Sequence, residues 1–236
     1  MTHVATMGGT LSSDPTQYTY PVYEASPSTP LATVTILGVF SNVTGGGLSM
    51  ENERRGTVQV PVPAQATAAA GSDAQVVIVN PETGDEWGFW QFKAASGGFS
   101  ATNGYHYNTS WSGVPPRTED GSPFVSRGAG VTYLAGLIRP CEIGRGRIDH
   151  ALAVAYDFPR SDFVYPATKS DGASSDPNDV AEGTRLQLDP ALTDAHLAAL
   201  GCARACLTIA HALQRYGMYV IDNSGRAKIM AEFEGT

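Results

Sequence analysis

Positive charge is scarce in this chain of 236 residues: 15 Lys and Arg stand against 23 Asp and Glu, a net charge of -8 at neutral pH. Neutralising a phosphate backbone needs clustered cations, so no nucleic-acid partner is expected. Charge of either sign is sparse, at 16% of residues. No apolar run approaches the ~18 residues of a membrane-spanning helix, which argues against membrane insertion. The opening stretch "MTHVATMGGTLSSDP" lacks the basic and apolar regions of a secretory signal. The expectation is therefore export by another route, such as release of a virus particle by lysis, or a mature chain given a new Met.

Cysteine is also rare. Of the three, Cys202 and Cys206 in "GCARACL" are close enough to bridge at the entrance to a helix, leaving Cys141 over; three buried thiols are the alternative. The five histidines lie far from any paired cysteines, so no zinc site is expected. A G-x-S-x-G elbow, a Walker loop and H-E-x-x-H are all missing, which removes serine-hydrolase, nucleotide and zinc-protease readings. No cofactor is implied.

What is present is turn chemistry and β-branched runs. With 26 Gly, 15 Pro and 42% hydrophobic residues, the chain is long enough for a sizeable core. Residues 1–30, rich in Ser, Thr, Pro and Tyr, read as an extended arm, and 31–236 as a single β-rich domain. "LATVTILGVF" and "GTVQVPVP" have strand composition, the second demoted to an edge by Pro61 and Pro63. "AQVVIVNPETGDEWGFWQF" predicts a hairpin. "GGFSATNGYHYNTSW" predicts another strand pair, turning at Asn103 and Gly104. In "VTYLAGLIRPCEI" Pro140 is expected to end a strand or short helix. Thr193 or Asp194 caps a helix, and Ile209, Leu213 and Tyr216 share a face of the next until Gly217. "MYVIDNSGRAKIMAEFE" predicts a closing hairpin. Together these predict a mainly β fold, an antiparallel β-sandwich or jelly roll with a short C-terminal helical excursion; α+β is the alternative.

The stretch "GRGRIDHALAVAYDF" concentrates the candidate chemistry. Read as a strand, it sets His150, Leu152, Val154 and Tyr156 on one face and Asp149, Ala151, Ala153 and Ala155 on the other. The alanine face is expected beneath the C-terminal helix, with Arg147, Asp149 and His150 at a cleft rim. Asp149, Glu142 and His150 are the candidate catalytic groups, and Arg145 and Arg147 would bind hydroxyl-rich ligands. Trp90, Tyr105, Tyr107 and Trp111 are candidate sugar platforms, because flat aromatics stack on the apolar face of a sugar ring. Hydrolysis needs two carboxylates, drawn here from Glu86, Glu142, Asp149 and Glu182. Elimination would use Arg147, Tyr105 and His150.

At "WGFWQF", "ATNGYHYNTSWSGVPP", "RGAGVTYLAGLIRPCEIGRGRIDHALAVAYDFP" and "ALQRYGMYVIDNSG" the chain resembles a group of mostly uncharacterised exported actinobacterial proteins with lectin-like or glycan-degrading β-sandwich character. The likeness runs from about residue 14 to the end and carries no established catalytic residue. It implies an extracellular or virion protein, carried by a phage of such a host, that contacts cell-surface glycan. The expected partners are that glycan and, through the arm, neighbouring virion subunits. The alternatives are a glycoside hydrolase or polysaccharide lyase of the same fold, and a structural virion protein without a ligand.

Overall fold

Residues 76–79 are β-branched throughout, so the strand they form has two apolar faces and needs a covering layer on each. In a computed structural model, which describes residues 11–38, 56–110 and 127–236, both layers are found. β4 (Val76–Asn80) is wholly buried within a central sheet of order β1–β4–β5–β8, with β1 (Val22–Glu24), β5 (Asp85–Trp90) and β8 (Asn103–Asn108). One face, with Val76, Ile78 and Phe89, packs on Val34, Ile36, Val60 and Ala101. Those residues come from a second sheet, β3–β2–β7–β6. Its strands are β2 (Leu31–Ile36), β3 (Gly56–Pro61), β6 (Lys93–Ala95) and β7 (Gly98–Ala101).

The opposite face, with Val77 and Val79, meets Ala153, Ala155, Ile221 and Met230. The first three of these belong to a third sheet, β12–β13–β9–β14. It is built from β9 (Leu152–Tyr156), β12 (Arg185–Leu186), β13 (Met218–Asn223) and β14 (Lys228–Ile229). Leu152 and Ile229, on the outer face of that sheet, are covered by Ala212 and Leu213 of a helix, Arg204–Arg215. The protein is thus mainly β and sandwich-like, three sheets deep, with a C-terminal helical part. A parallel pair, β10 (Arg160–Phe163) and β11 (Ala181–Glu182), lies beside β13. Among the described residues no helix is long and apolar enough to cross a membrane.

Several local expectations are corrected. The sheets are mixed rather than wholly antiparallel: β1 with β4, β2 with β7, and β9 with β13 all pair in parallel. β7 and β8 are not partners, because the chain crosses from the second sheet to the central one at Thr102, and Asn103 and Gly104 lie inside β8. The "DNSG" turn does not close a hairpin either, since β9 inserts between β13 and β14. Within the expected arm, Thr19 and Tyr20 are buried and β1 adds to the edge of the central sheet. Its apolar Val22 and Tyr23, on opposite faces, have two cores to fill.

Pro140 begins a helix instead of ending an element. It is the first residue of α1 (Pro140–Arg145), where its missing N–H costs nothing. In α2 (Asp194–Ala199) the Thr193 hydroxyl accepts from the His196 N–H at 3.2 Å. The Cys202–Cys206 disulfide joins the approach to the first turn of α3, the Arg204–Arg215 helix, and Cys141 is a free, exposed thiol.

Candidate functional site

Asp149 and its neighbours lie before β9 begins, on the surface. Arg147 Nε donates to Asp149 Oδ1 at 2.6 Å, both side chains are exposed, and Tyr216 donates to the same oxygen at 3.3 Å. Arg145 is exposed in the last turn of α1. Glu142 is buried but committed to structure: its Oε2 accepts the Arg139 N–H at 3.1 Å and its Oε1 meets His150 Nε2 at 3.1 Å. His150 Nδ1 is 2.9 Å from the Ala151 carbonyl, which leaves the ring occupied on both sides. Tyr105 and Tyr107 are not platforms, because both rings are buried. The Tyr105 hydroxyl donates to Glu86 at 2.5 Å and accepts the Tyr133 N–H at 2.7 Å, while Glu86 also accepts the Leu134 N–H at 3.0 Å. These bonds fasten the 133–134 segment to the central sheet. Trp111 lies outside the described residues.

The alanine face of β9 is not closed by α3, which covers the opposite face. Ala153 is instead met by the 129–137 segment: its N–H donates to the Gly136 carbonyl at 2.9 Å, and a Cβ on Gly136 would lie 2.8 Å from the Ala153 Cβ. Ala155 opens onto a cleft. The register of β13 against β9 slips between Val220 and Asp222, so Ile221 is an extra residue and Asp222 pairs with Ala155. A bulge of this kind re-aims the side chain that follows it. Asp222 thereby turns to the same face as Ala155, towards the central sheet.

Three carboxylates converge there. Asp222 on β13, Glu182 at the end of β11 and Asp171 in the loop between β10 and β11 bring one oxygen each to within 4.8 Å of one another. Gly128 is the residue that permits this, since a Cβ at that position would collide with Asp171 Oδ1 and Glu182 Oε1; its N–H donates to Asp222 Oδ1 at 3.0 Å. Glu182 is fully buried, and neither of its carboxylate oxygens has a hydrogen-bond partner when the group is ionised. Burial and the facing Asp171 carboxyl push Glu182 up to about 9, and burial followed by Asp171 pushes Asp222 up to about 7.

Two cations stand close without pairing. Arg127, held at a left-handed φ of 44°, donates to the Tyr133 and Ala135 carbonyls and places its guanidinium 4.7 Å from the Tyr20 ring centroid. Lys169, whose pKa is lowered by burial, donates to the Arg127 carbonyl. Among the described residues, no Lys or Arg forms an ion pair with any of the three carboxylates.

The cluster lies along a cleft with two adjoining chambers of about 390 and 610 Å³, which share Asp73, Gln75, Asp222 and Asn223. Trp90 lines the first, half-buried, because β5 alternation sends it away from the core that takes Phe89. Tyr18 lines the second, 44% exposed, its ring laid against Gly71. Gln75 Oε1 and Arg127 Nε at the cleft wall lack partners. None of Asp149, Glu142, His150, Arg145 or Arg147 reaches this cleft; Trp90 lines it, as does part of Tyr105.

Sequence reading found Glu182 among its carboxylates but missed Arg127, Lys169, Asp171 and Asp222. The available signal was a polar side chain set directly before glycine, in "RG", "DG" and "EG" at 127, 171 and 182. Fold and site define a mainly β protein with an acidic, aromatic-edged cleft. No protein-family model matches the chain, and neither a curated protein nor a solved structure is significantly similar to it.

Proposed function

We propose that the protein recognises a cell-surface glycan in this cleft, in an extracellular setting or on a virion. The observation that carries the reading is the cleft itself, where Trp90 and Tyr18 stand in adjoining chambers on either side of Asp73, Gln75, Asp222 and Asn223. Aromatic faces suit the apolar side of sugar rings, and carboxylates and amides suit their hydroxyls. The Cys202–Cys206 disulfide is in keeping with an oxidising compartment.

The test is binding to immobilised actinobacterial cell-wall glycan. Trp90→Ala is expected to weaken binding by at least about tenfold at an unchanged thermal midpoint, as for an aromatic anchor. Equal binding by wild type and variant, or none by either, would remove the reading. Cleavage of the glycan is a second reading, favoured because Asp171 and Asp222 both face the cavity and Asp222 is held near 7, suited to proton transfer at neutral pH. Release of reducing ends by wild type, lost in Asp222→Asn, would establish it.

A further inference from the structure

We infer that Asp171, Glu182 and Asp222 form a binding site for a divalent cation, with calcium as the ion that fits. Two independent features point to a ligand. The first is convergence: oxygens from three separate chain segments lie within 4.8 Å of one another. Three converging carboxylates suit Ca²⁺, which takes many oxygen ligands in a flexible geometry, better than Mg²⁺, which keeps several waters and is held through one or two carboxylates. The second is Glu182, fully buried, with no donor to either oxygen when the carboxyl is ionised and with Oε1 set beside Asp171. An ionised carboxylate left in that state is costly, and a cation removes the cost.

The surroundings support the assignment. Lys169 and Arg127, which could have neutralised the acids directly, spend donors on backbone carbonyls instead. Gly128 clears the space that Asp171 and Glu182 occupy. All three donors are hard oxygens, with no Cys or His among them, which favours Ca²⁺ over Zn²⁺. Asp171 is exposed, so one side of the ion would face the first chamber of the cleft, open to water or a ligand hydroxyl. The inference does not need the glycan reading. It does exclude acid catalysis by the same carboxyls while the ion is bound, because the ion takes the place of the proton.

The experiment is calorimetric titration of chelator-treated full-length protein with CaCl₂ alone, with MgCl₂ and ZnCl₂ as comparisons. One Ca²⁺ per chain is expected, bound more tightly than Mg²⁺, with a rise in thermal midpoint on saturation. Glu182→Gln and the exposed-site variant Asp171→Asn should each weaken binding by at least about tenfold, since ligand charge count sets calcium affinity. Asp171→Asn keeps the test decisive if Glu182→Gln does not fold. Absence of heat and of any thermal shift up to about 10 mM Ca²⁺, above the range of weak extracellular calcium sites, would overturn the inference. Equal binding by wild type and Asp171→Asn would do the same. Glycan binding measured on the same samples separates the two ideas: calcium bound without glycan retains this site and removes the glycan reading, and glycan bound without calcium does the reverse.

Discussion

Glu182 is the residue at which burial and charge conflict most sharply. Its carboxyl is raised from 4.5 to about 9, chiefly by burial and then by Asp171. A carboxyl whose folded pKa exceeds its unfolded one binds more protons in the folded state between the two values. Stability therefore falls as pH rises through that window. Asp222, raised from 3.8 to about 7, acts in the same direction at lower pH. Denaturant unfolding in chelating buffer should show the wild type losing stability between pH 5 and 9, while Glu182→Gln, which cannot titrate, shows a flatter profile. An equal slope in both would remove Glu182 as the source. Asp149→Asn, by contrast, should leave the denaturant midpoint unchanged, because it removes one exposed ion pair.

β9 and β1 are the elements where position in the fold matters most. Ala153 touches Gly136 from the 129–137 segment, so Ala153→Leu overpacks a contact between two backbones and should cost ~1 to 3 kcal/mol in chemical unfolding. Had this face been open, the cost would be near zero. β1 occupies the edge of the central sheet with Tyr20 and Val22 in the core beneath it. Deletion through residue 24 should lower the thermal midpoint steeply or prevent folding. The β4–β5 hairpin was legible because its turn and its β-branched run are adjacent in the chain. The parallel pair β9–β13 was not, because long-range parallel pairing leaves no local turn signal.

At the scale of the whole molecule, the protein buries a central sheet on both faces and places its acidic cleft where the central and third sheets come together. Mass measurement without reduction should find one disulfide and one free thiol. Reduction should cost little, at the low end of ~0 to 5 kcal/mol, because the Cys202–Cys206 loop is short.

The sequence by itself determined the mainly β class and that Ile209 and Leu213 share a face of α3, and it narrowed the α2 cap to Thr193 or Asp194 and the cysteines to a Cys202–Cys206 bridge or three buried thiols, because each depends on neighbours a few residues apart. Only the tertiary structure decided which face of β9 the helix covers, since the alanine face and the face of Leu152, Val154 and Tyr156 are both buried and alternation cannot say against what. It likewise decided the site. Asp171, Glu182 and Asp222 meet through a bulge in β13, a parallel pairing of β11 and a glycine at 128, three features whose effect exists only once distant segments are packed together.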